Sequence, residues 1–366
     1  MQAVTDLVPA LDELDADTLT DLLRRDAARR DRVDATALTV TSVRREPVGA
    51  GTGFLGELRR LHLGYSPDTS RGDNTPRTLV AKAPTSSPGG RQVGLMLNVW
   101  EREHRFFAEL APQVLTRVPR CYANLADTAA SRWLLLLEDA GDSTAPTQVQ
   151  GAGRAQAESA LAEIATLHRS FSSGRPNHWI PGFDRGPFSA LQAAVQAAVT
   201  PFLTRFGDLL PAGTADVLRR FAPRLSSWVA EQGESPLSVV HADFRLDNLI
   251  INAQGAVTVL DWQTALMGDG AMDVASLLAT SLTIENRRAW EDDLLAGYAD
   301  ASGRPRAEIR LAVRHHLLWW MALYANNLSR LDQSDPQAAE LSAHTVRRTF
   351  TAAADHQVGQ LLDARS

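Results

Sequence analysis

The sequence predicts an α+β fold in two lobes, a small antiparallel β lobe followed by a large, mainly helical lobe. A chain of 366 residues suits two domains or one large bilobal unit, and 44% hydrophobic with 22% charged residues is ordinary globular content. Runs rich in β-branched residues dominate up to Ala140 and Gly141, whereas helical periodicity dominates after them. We therefore expect an N-terminal helical segment over 1–34, a small lobe over 35–140 and a helical lobe over 141–366.

Periodicity and turn signals predict the individual elements. Residues 8–30 have acidic residues early and arginines late, which favours a helix because of the helix dipole. Strands are predicted over 40–48, 53–65, 77–83, 117–123 and 133–138. An amphipathic helix is predicted over 92–110, between the third and fourth strands. Further helices are predicted over 153–172, 188–206, 214–232, 272–283, 288–300, 305–329 and 336–362.

The chain contains a single lysine, Lys82, at the end of an apolar stretch, while arginine supplies the other 36 of its 37 basic side chains. An ammonium is a compact point charge on a slender stem, and it suits phosphate oxygens in a narrow space better than the planar guanidinium does. A buried ammonium also needs an acidic partner to keep its charge. The sequence therefore points to a specific electrostatic role for Lys82.

A second motif lies far downstream, where residues 241–248 read His-Ala-Asp-Phe-Arg-Leu-Asp-Asn. Phosphoryl transfer to a hydroxyl needs a carboxylate that accepts the hydroxyl proton and oxygen ligands that hold Mg²⁺ on the phosphates. Asp243 is the predicted base, and Asn248 and Asp261 are the predicted metal ligands. A predicted hairpin over 249–260 would bring Asp261 back beside Asn248.

These motifs resemble the aminoglycoside phosphotransferase and choline kinase superfamily, and most closely its ecdysteroid-kinase-like (CHK kinase-like) branch and bacterial relatives. The resemblance covers roughly residues 35–330 and includes the glycine-rich stretch 49–56 and Asp-Trp-Gln after the hairpin. It departs from the family at Ala242, where glycine is more common. The resemblance implies a bilobal, protein-kinase-like fold that uses ATP and Mg²⁺.

The resemblance also implies roles for further residues. Those expected near the nucleotide are Gly51, Gly53, Lys82, Glu103, Glu138 and Ala140. Glu103 is the expected partner of Lys82, because it lies four residues before the aromatic Phe107, and Glu101 is the alternative. By itself the glycine-rich stretch is a weak signal, because such a run is more often a β-turn with a bulge. Its position between two predicted strands, one strand before Lys82, favours phosphate binding.

Around Asp243, the resemblance implies that His241 orients the catalytic loop by hydrogen bonding. Arg245 and Asp247 are candidates for substrate contact, although Asp247 is equally compatible with a surface charge. Asp273 could cap a helix, and the resemblance implies that it braces this loop, so both roles can hold together.

We expect an ATP-dependent kinase that acts on a hydroxyl of a small, neutral or partly apolar molecule. Residues 296–366 carry seven acidic residues against eight arginines, which does not favour a polycationic acceptor. His316, Trp320 and Tyr324 share one helix face and serve either core packing or an apolar acceptor wall. An aminoglycoside phosphotransferase and a pseudokinase without turnover are the alternatives. A protein kinase is disfavoured, because no Asp-Phe-Gly followed by Ala-Pro-Glu is present.

Composition excludes several other classes. A net charge of −6 without basic runs argues against nucleic acid or an anionic membrane as the main partner. Cys121 is the single cysteine, so no internal disulfide can form, and with no base nearby in sequence it is not expected to be catalytic. His168 and the pair His315 and His316 lack the spacing of a metal site. The sequence shows no leader and no apolar run long enough to cross a bilayer, so we expect a cytoplasmic enzyme, with its oligomeric state open.

Overall fold

A five-stranded antiparallel sheet and a large helical part make up this computed structural model, and they confirm the predicted fold class. The structure describes residues 8–30, 37–48, 55–69, 75–172, 177–183, 191–232, 237–331 and 334–363. The chain divides into two units. The first comprises Met1–Pro112 and Val118–Gly141, and the second comprises Gln113–Arg117 and Asp142–Ser366.

The first unit is built on the sheet, with strand order β1-β2-β3-β5-β4. Its strands are β1 (Val40–Pro47), β2 (Gly56–Tyr65), β3 (Thr78–Pro84), β4 (Cys121–Asp127) and β5 (Arg132–Glu138). Helix α1 (Ala16–Arg29) starts at Asp15, whose carboxylate accepts a hydrogen bond from Thr18 N at 2.8 Å. Leucines of α1 and of the strands pack into one buried cluster. The apolar alternation of the strands therefore forms the core that the sequence predicts.

The helix predicted over 92–110 is interrupted. It consists of α2 (Pro88–Met96), α3 (Val99–Arg105) and a π-helical turn over Phe106–Leu110. Asn98 lies between α2 and α3 in the left-handed conformation, with φ of 51°, which asparagine tolerates better than most residues. Gly94 permits the Trp100 ring to pack on α2, since a Cβ there would lie 2.4 Å from the ring. The next strand, β4, starts later than predicted, because Pro119 has no N–H for a ladder.

Helices dominate the second unit. They are α4 (Arg154–Ser170), α5 (Leu191–Phe206), α6 (Thr214–Phe221), α7 (Leu225–Gln232), α8 (Ala271–Thr280), α9 (Ile284–Ser302), α10 (Arg306–Leu328), α11 (Pro336–Asp355) and α12 (Gln360–Asp363). The helix predicted over 214–232 is divided by a 3₁₀ turn over Ala222–Arg224, because Pro223 removes a helical N–H. The helix predicted over 336–362 ends at Asp355, and Gln357 then adopts a φ of 51°.

Four short strands frame the motif of residues 241–248. They are β6 (Ser238–Val240), β7 (Leu249–Ile251), β8 (Val257–Val259) and β9 (Leu266–Gly268). The predicted hairpin is confirmed, because β7 pairs with β8 in antiparallel register. The pairing of β6 with β9 was not predicted, since three buried residues show no alternation. Helix α8, buried at every position, follows β9. Within the described residues, no helix has the length and apolarity of a membrane span.

Candidate active site

Lys82 and Glu103 form a buried ion pair in the first unit. Strand β3 places Lys82 with 9% of its surface exposed, and α3 places Glu103 with 2% exposed. Lys82 Nζ lies 2.8 Å from Glu103 Oε1 and 2.7 Å from Oε2. Glu101, the alternative partner, instead lies 3.8 Å from Arg105 near the surface. Removing one member of a buried pair leaves an uncompensated charge and typically costs about 3–5 kcal/mol.

The other predicted nucleotide residues are only partly described. Gly51 and Gly53 lie outside the described residues. Glu138 ends β5, and its carboxylate accepts a hydrogen bond from Arg120 N at 3.0 Å. Ala140 is half-buried two residues later. Their roles toward a nucleotide stay predictions.

The catalytic loop, residues 241–248, begins against Asp273 in the first turn of α8. The Asp273 carboxylate is fully buried and accepts hydrogen bonds from His241 N at 2.7 Å and Ala242 N at 2.8 Å. The N-cap of α8 is Gly270, so the capping interpretation of Asp273 is wrong and the bracing one describes its contacts. Ala242 has a φ of 61°, which explains why glycine is common there in the family.

Two residues that sequence reasoning did not assign to the site lie behind Asp273. His168 Nε2 lies 3.1 Å from Asp273 Oδ2, and His168 Nδ1 lies 2.7 Å from Tyr298 Oη. Burial raises the pKa of Tyr298, so its hydroxyl keeps its proton and can donate to Nδ1. His168 Nε2 faces the Asp273 carboxylate, which can only accept, so this nitrogen is the donor in that contact. His168 is therefore a core histidine that supports the brace.

The His241 side chain connects the catalytic loop to Leu260, the residue before Asp261. Its ring is completely buried, and Nε2 donates to Leu260 O at 2.7 Å while Nδ1 accepts from Asp243 N at 3.2 Å. The ring packs edge to face on Trp262, with centroids 4.9 Å apart. Both ring nitrogens are engaged by main-chain atoms, so the contacts are compatible with the orienting role, which stays a prediction.

Asp243 is held from two sides. Asn248 Nδ2 donates to Asp243 O at 2.8 Å and to Asp243 Oδ2 at 2.9 Å. Arg245 Nε lies 3.1 Å from Oδ1 and 3.3 Å from Oδ2, and Arg245 Nη1 donates to Asp247 Oδ2 at 2.7 Å. The Asp243 carboxylate raises the pKa of Arg245, more than its burial lowers it. The side chain of Asp243 is still 28% exposed, so its carboxylate is fixed in direction but accessible.

Asp261 follows the hairpin and returns the chain to Asn248. Leu260 N donates to Asn248 O at 2.8 Å, which draws the residue before Asp261 to the end of the catalytic loop. Asp261 has a φ of 61°, and Gln263 Nε2 donates to its Oδ2 at 3.2 Å. Carboxylate and amide oxygens are the ligands that Mg²⁺ prefers. The residue types of Asn248 and Asp261 therefore fit the predicted metal.

The three residues predicted to share one face of α10 are His316, Trp320 and Tyr324, and their surroundings differ. His316 and Trp320 are buried, and Trp320 Nε1 donates to Met272 O at 3.0 Å. Tyr324 stacks on Trp320, with centroids 5.5 Å apart. Burial and the Asp243 carboxylate raise the pKa of Tyr324, and the Arg245 guanidinium lowers it. His316 and Trp320 therefore pack in the core, whereas Tyr324 lies within electrostatic range of Asp243.

We expect His316 to make the protein sensitive to acid. Burial lowers its pKa to about 4, from 6.5, and neither ring nitrogen has a hydrogen-bond partner among the described residues. The unfolded chain binds a proton at His316 between these pH values and the folded chain does not. Its contribution to stability is therefore complete above pH 6.5 and falls by about 3 kcal/mol as the pH drops to 4.

His316→Leu should remove the pH-dependent contribution of this histidine to stability. The unfolding free energy, measured by denaturant titration between pH 4 and 7, should then depend less steeply on pH. His178→Leu, at an exposed histidine, is the control and should keep the parent's slope. A parental slope in His316→Leu contradicts the prediction.

The comparisons with known proteins agree on the fold. A candidate aminoglycoside phosphotransferase of Ralstonia eutropha is 18% identical and has a TM-score of 0.55, with 92% of this chain and 98% of that chain covered. A microcompartment-associated aminopropanol kinase is 16% identical, with a TM-score of 0.53 and coverage of 87% and 94%. An amicoumacin kinase bound to AMP-PNP and Ca²⁺ is 12% identical, with a TM-score of 0.51 and coverage of 92% and 96%. A search of curated proteins gives no match.

The predicted superfamily is confirmed, while the closeness to its ecdysteroid-kinase-like branch stays a prediction. A model of the phosphotransferase enzyme family matches residues 57–310, and the chain therefore belongs to this family.

Proposed function

We propose that this phosphotransferase moves the γ-phosphoryl group of ATP to a hydroxyl of a small, neutral or partly apolar alcohol. One observation carries the proposal: the Asp243 carboxylate is accessible and is held in direction by Asn248 and Arg245. A fixed and accessible carboxylate is what a hydroxyl nucleophile needs in order to be oriented and deprotonated. The buried pair of Lys82 and Glu103 supports the use of a nucleotide, since such an ammonium suits phosphate oxygens.

In the proposed reaction the acceptor hydroxyl donates a hydrogen bond to Asp243. Its oxygen bonds to the γ-phosphorus, the bond from that phosphorus to the β–γ bridging oxygen breaks, and ADP leaves. The hydroxyl proton moves to the Asp243 carboxylate. Asn248 and Asp261 would hold Mg²⁺, and the ion would supply positive charge for the phosphates. Lys82 would bind phosphate oxygens, and Glu103 keeps its ammonium charged and in place.

The charges around the base favour a neutral acceptor. Both carboxylates of the catalytic loop, Asp243 and Asp247, contact the Arg245 guanidinium. A cationic acceptor would approach this arginine and would find neither loop carboxylate unpaired. The nearby group from α10 is the phenol of Tyr324, stacked on an indole. A phenol surface suits a partly apolar alcohol better than a polyamine.

A screen of alcohols for ADP release tests the proposed function, with the Asp243→Asn protein as the blank. We expect at least one neutral alcohol to raise ADP release by the parent protein and not by the blank. Tight nucleotide binding with no release above the blank for any acceptor would instead favour the pseudokinase alternative.

Expression of the protein should confer little aminoglycoside resistance, for the same electrostatic reason. We expect the inhibitory concentration of kanamycin to change by less than about twofold, because both loop carboxylates already bind the Arg245 guanidinium and neither is unpaired for an ammonium group. The measurement compares cells that express the parent and Asp243→Asn. A large rise with the parent that Asp243→Asn abolishes would make the aminoglycoside alternative correct and leave the kinase assignment intact.

A further inference from the structure

The second half of the catalytic loop has its own support, separate from Asp273. Leu246 N donates to Ser281 Oγ at 2.9 Å, and Asp247 N donates to Gln148 Oε1 at 3.3 Å. Ser281 Oγ in turn lies 3.4 Å from Gln148 Oε1. Ser281 is the C-cap of α8, so this helix holds the loop near both of its ends. One hydroxyl and one side-chain amide therefore hold the two main-chain N–H groups just before Asn248.

Arg348 of α11 holds these two supports together. It is 5% exposed, and its Nη1 donates to Gln148 O at 2.6 Å and to Thr280 O at 2.9 Å. Its Nη2 donates to Val149 O at 2.5 Å. The three acceptors are main-chain carbonyl oxygens, and Thr280 is the last residue of α8, where the negative end of the helix dipole favours a cation. Burial lowers the pKa of Arg348 and the Glu285 carboxylate opposes this shift, while the three carbonyl dipoles contact the guanidinium directly.

The geometry around Arg348 requires a planar fork. Its guanidinium joins two segments that are more than 130 residues apart in sequence, and only its several rigid donors reach three carbonyl oxygens at once. Gly151, beside this segment, has a φ of 84°, and a Cβ there would lie 3.1 Å from Thr283 N, so glycine permits the close approach to the start of α9. Ala152 N donates to Ser281 O at 2.7 Å and closes the connection. The segment that carries Gln148 is thus fixed to the end of α8.

We propose that Arg348 is a positioning residue for the catalytic loop, which it supports by holding Gln148 and Ser281 where they accept the N–H groups of Asp247 and Leu246. The family match ends at residue 310. This support therefore comes from a helix outside the matched region, and it makes α11 a part of the catalytic apparatus. The structural part of the proposal stands by itself, and only its kinetic consequence rests on the proposed function.

Hydrogen–deuterium exchange of the catalytic loop tests the structural part. Arg348→Met should speed exchange at Leu246 and Asp247 about fivefold or more, because a hydrogen bond of typical net strength is weakened at each. Exchange at His241 and Ala242 should keep the parental rate, since Asp273 holds them independently.

Arg314→Met is the matched control. Arg314 also donates to main-chain carbonyl oxygens, those of His356 and Gln357, but these acceptors lie beyond the end of α11. It should change exchange at neither half of the loop. Unchanged exchange at Leu246 in Arg348→Met, or an equal rise in Arg314→Met, would overturn the proposal. If Arg348→Met does not fold, Arg348→Lys serves instead. Its single ammonium should give a smaller rise in the exchange rate at Leu246 and Asp247. An unchanged exchange rate there would also overturn the proposal.

The kinetic consequence of the proposal is tested by Mg²⁺-dependent ATP hydrolysis, with water as the acceptor. Arg348→Met should lower kcat about tenfold while the Kd for ADP stays within about twofold, because a displaced loop misaligns the base and not the nucleotide. Arg348→Lys should recover part of kcat. A general loss of folding would instead lower ADP binding together with kcat, and that result would contradict a positioning role. If neither hydrolysis nor transfer to any alcohol depends on Asp243, the proposed function fails while the exchange result still decides the role of Arg348.

Discussion

Asp243→Asn is expected to lower phosphoryl transfer by about 10²–10⁴-fold while the Kd for ADP changes by less than about threefold. An amide cannot accept the hydroxyl proton, but it has nearly the shape of the carboxylate. Its oxygen can still accept the Arg245 Nε or Asn248 Nδ2 hydrogen bond, so the loop should keep its conformation. The measurement is ADP release in the presence of the best acceptor, together with calorimetric binding of ADP.

Two further variants separate the roles within the site. Asp247→Asn removes the other carboxylate on Arg245 and should cost less than about tenfold, because Asp247 does not take the proton. Asp261→Asn should instead weaken nucleotide binding when Mg²⁺ is present and leave binding without Mg²⁺ nearly unchanged. Equal acceptor phosphorylation by Asp243→Asn and the parent would show that the base is another group.

Contacts of the candidate site could be predicted from the sequence where chemistry restricts the choice of residue. A lone lysine at the end of an apolar strand requires an acidic partner, and the helix that follows offers Glu101 and Glu103 on opposite sides. The family pattern favoured Glu103, and α3 turns this residue onto Lys82. In the catalytic loop, Asp243 and Asn248 are five residues apart, directly before the hairpin. This spacing was enough to predict that their side chains lie together, and they are in hydrogen-bond contact.

The supports of the loop could not be predicted in the same way. His168, Ser281 and Arg348 are common residue types, and their contacts depend on how helices pack rather than on any local pattern. His168 is 105 residues from Asp273, and Arg348 is 200 residues from Gln148. No periodicity relates positions so far apart. Only the position of Ala242 carried a local signal, because the family's preference for glycine there indicates a left-handed backbone, and Ala242 has a φ of 61°.

The broken helix before β4 shows a different limit. Residues 92–110 have the apolar spacing of one helix, and that spacing is compatible with α2 and α3 taken separately. The break depends on the Trp100 ring, which packs against Gly94 and donates from Nε1 to Leu55 O at 2.9 Å. A tertiary contact of this kind outweighs helix propensity. It also sets the direction of α3, and therefore the position of Glu103.

The lysine gives the sharpest chemical test of nucleotide binding. An acyl-phosphate analogue of ATP acylates amines that lie beside the bound phosphates, and Lys82 supplies the one lysine ε-amine in the sequence. We expect acylation of Lys82, measured by peptide mass spectrometry, and protection by excess ATP. Modification that ATP does not reduce, or that is confined to the α-amino group, would contradict phosphate binding by Lys82.

Lys82→Arg should not restore activity, although it keeps the charge. Lys82 is only 9% exposed, and its Nζ already lies 2.8 Å from Glu103 Oε1 and 2.7 Å from Oε2. The guanidinium is wider than the ammonium, so it cannot contact Glu103 and the phosphates in the same positions. We expect ADP release to fall at least about 100-fold in Lys82→Arg and in Lys82→Met alike, because misplacement by about 1 Å costs that much. Lys82→Arg at more than about a tenth of parental activity would show that charge alone matters, and that the position of the ammonium does not.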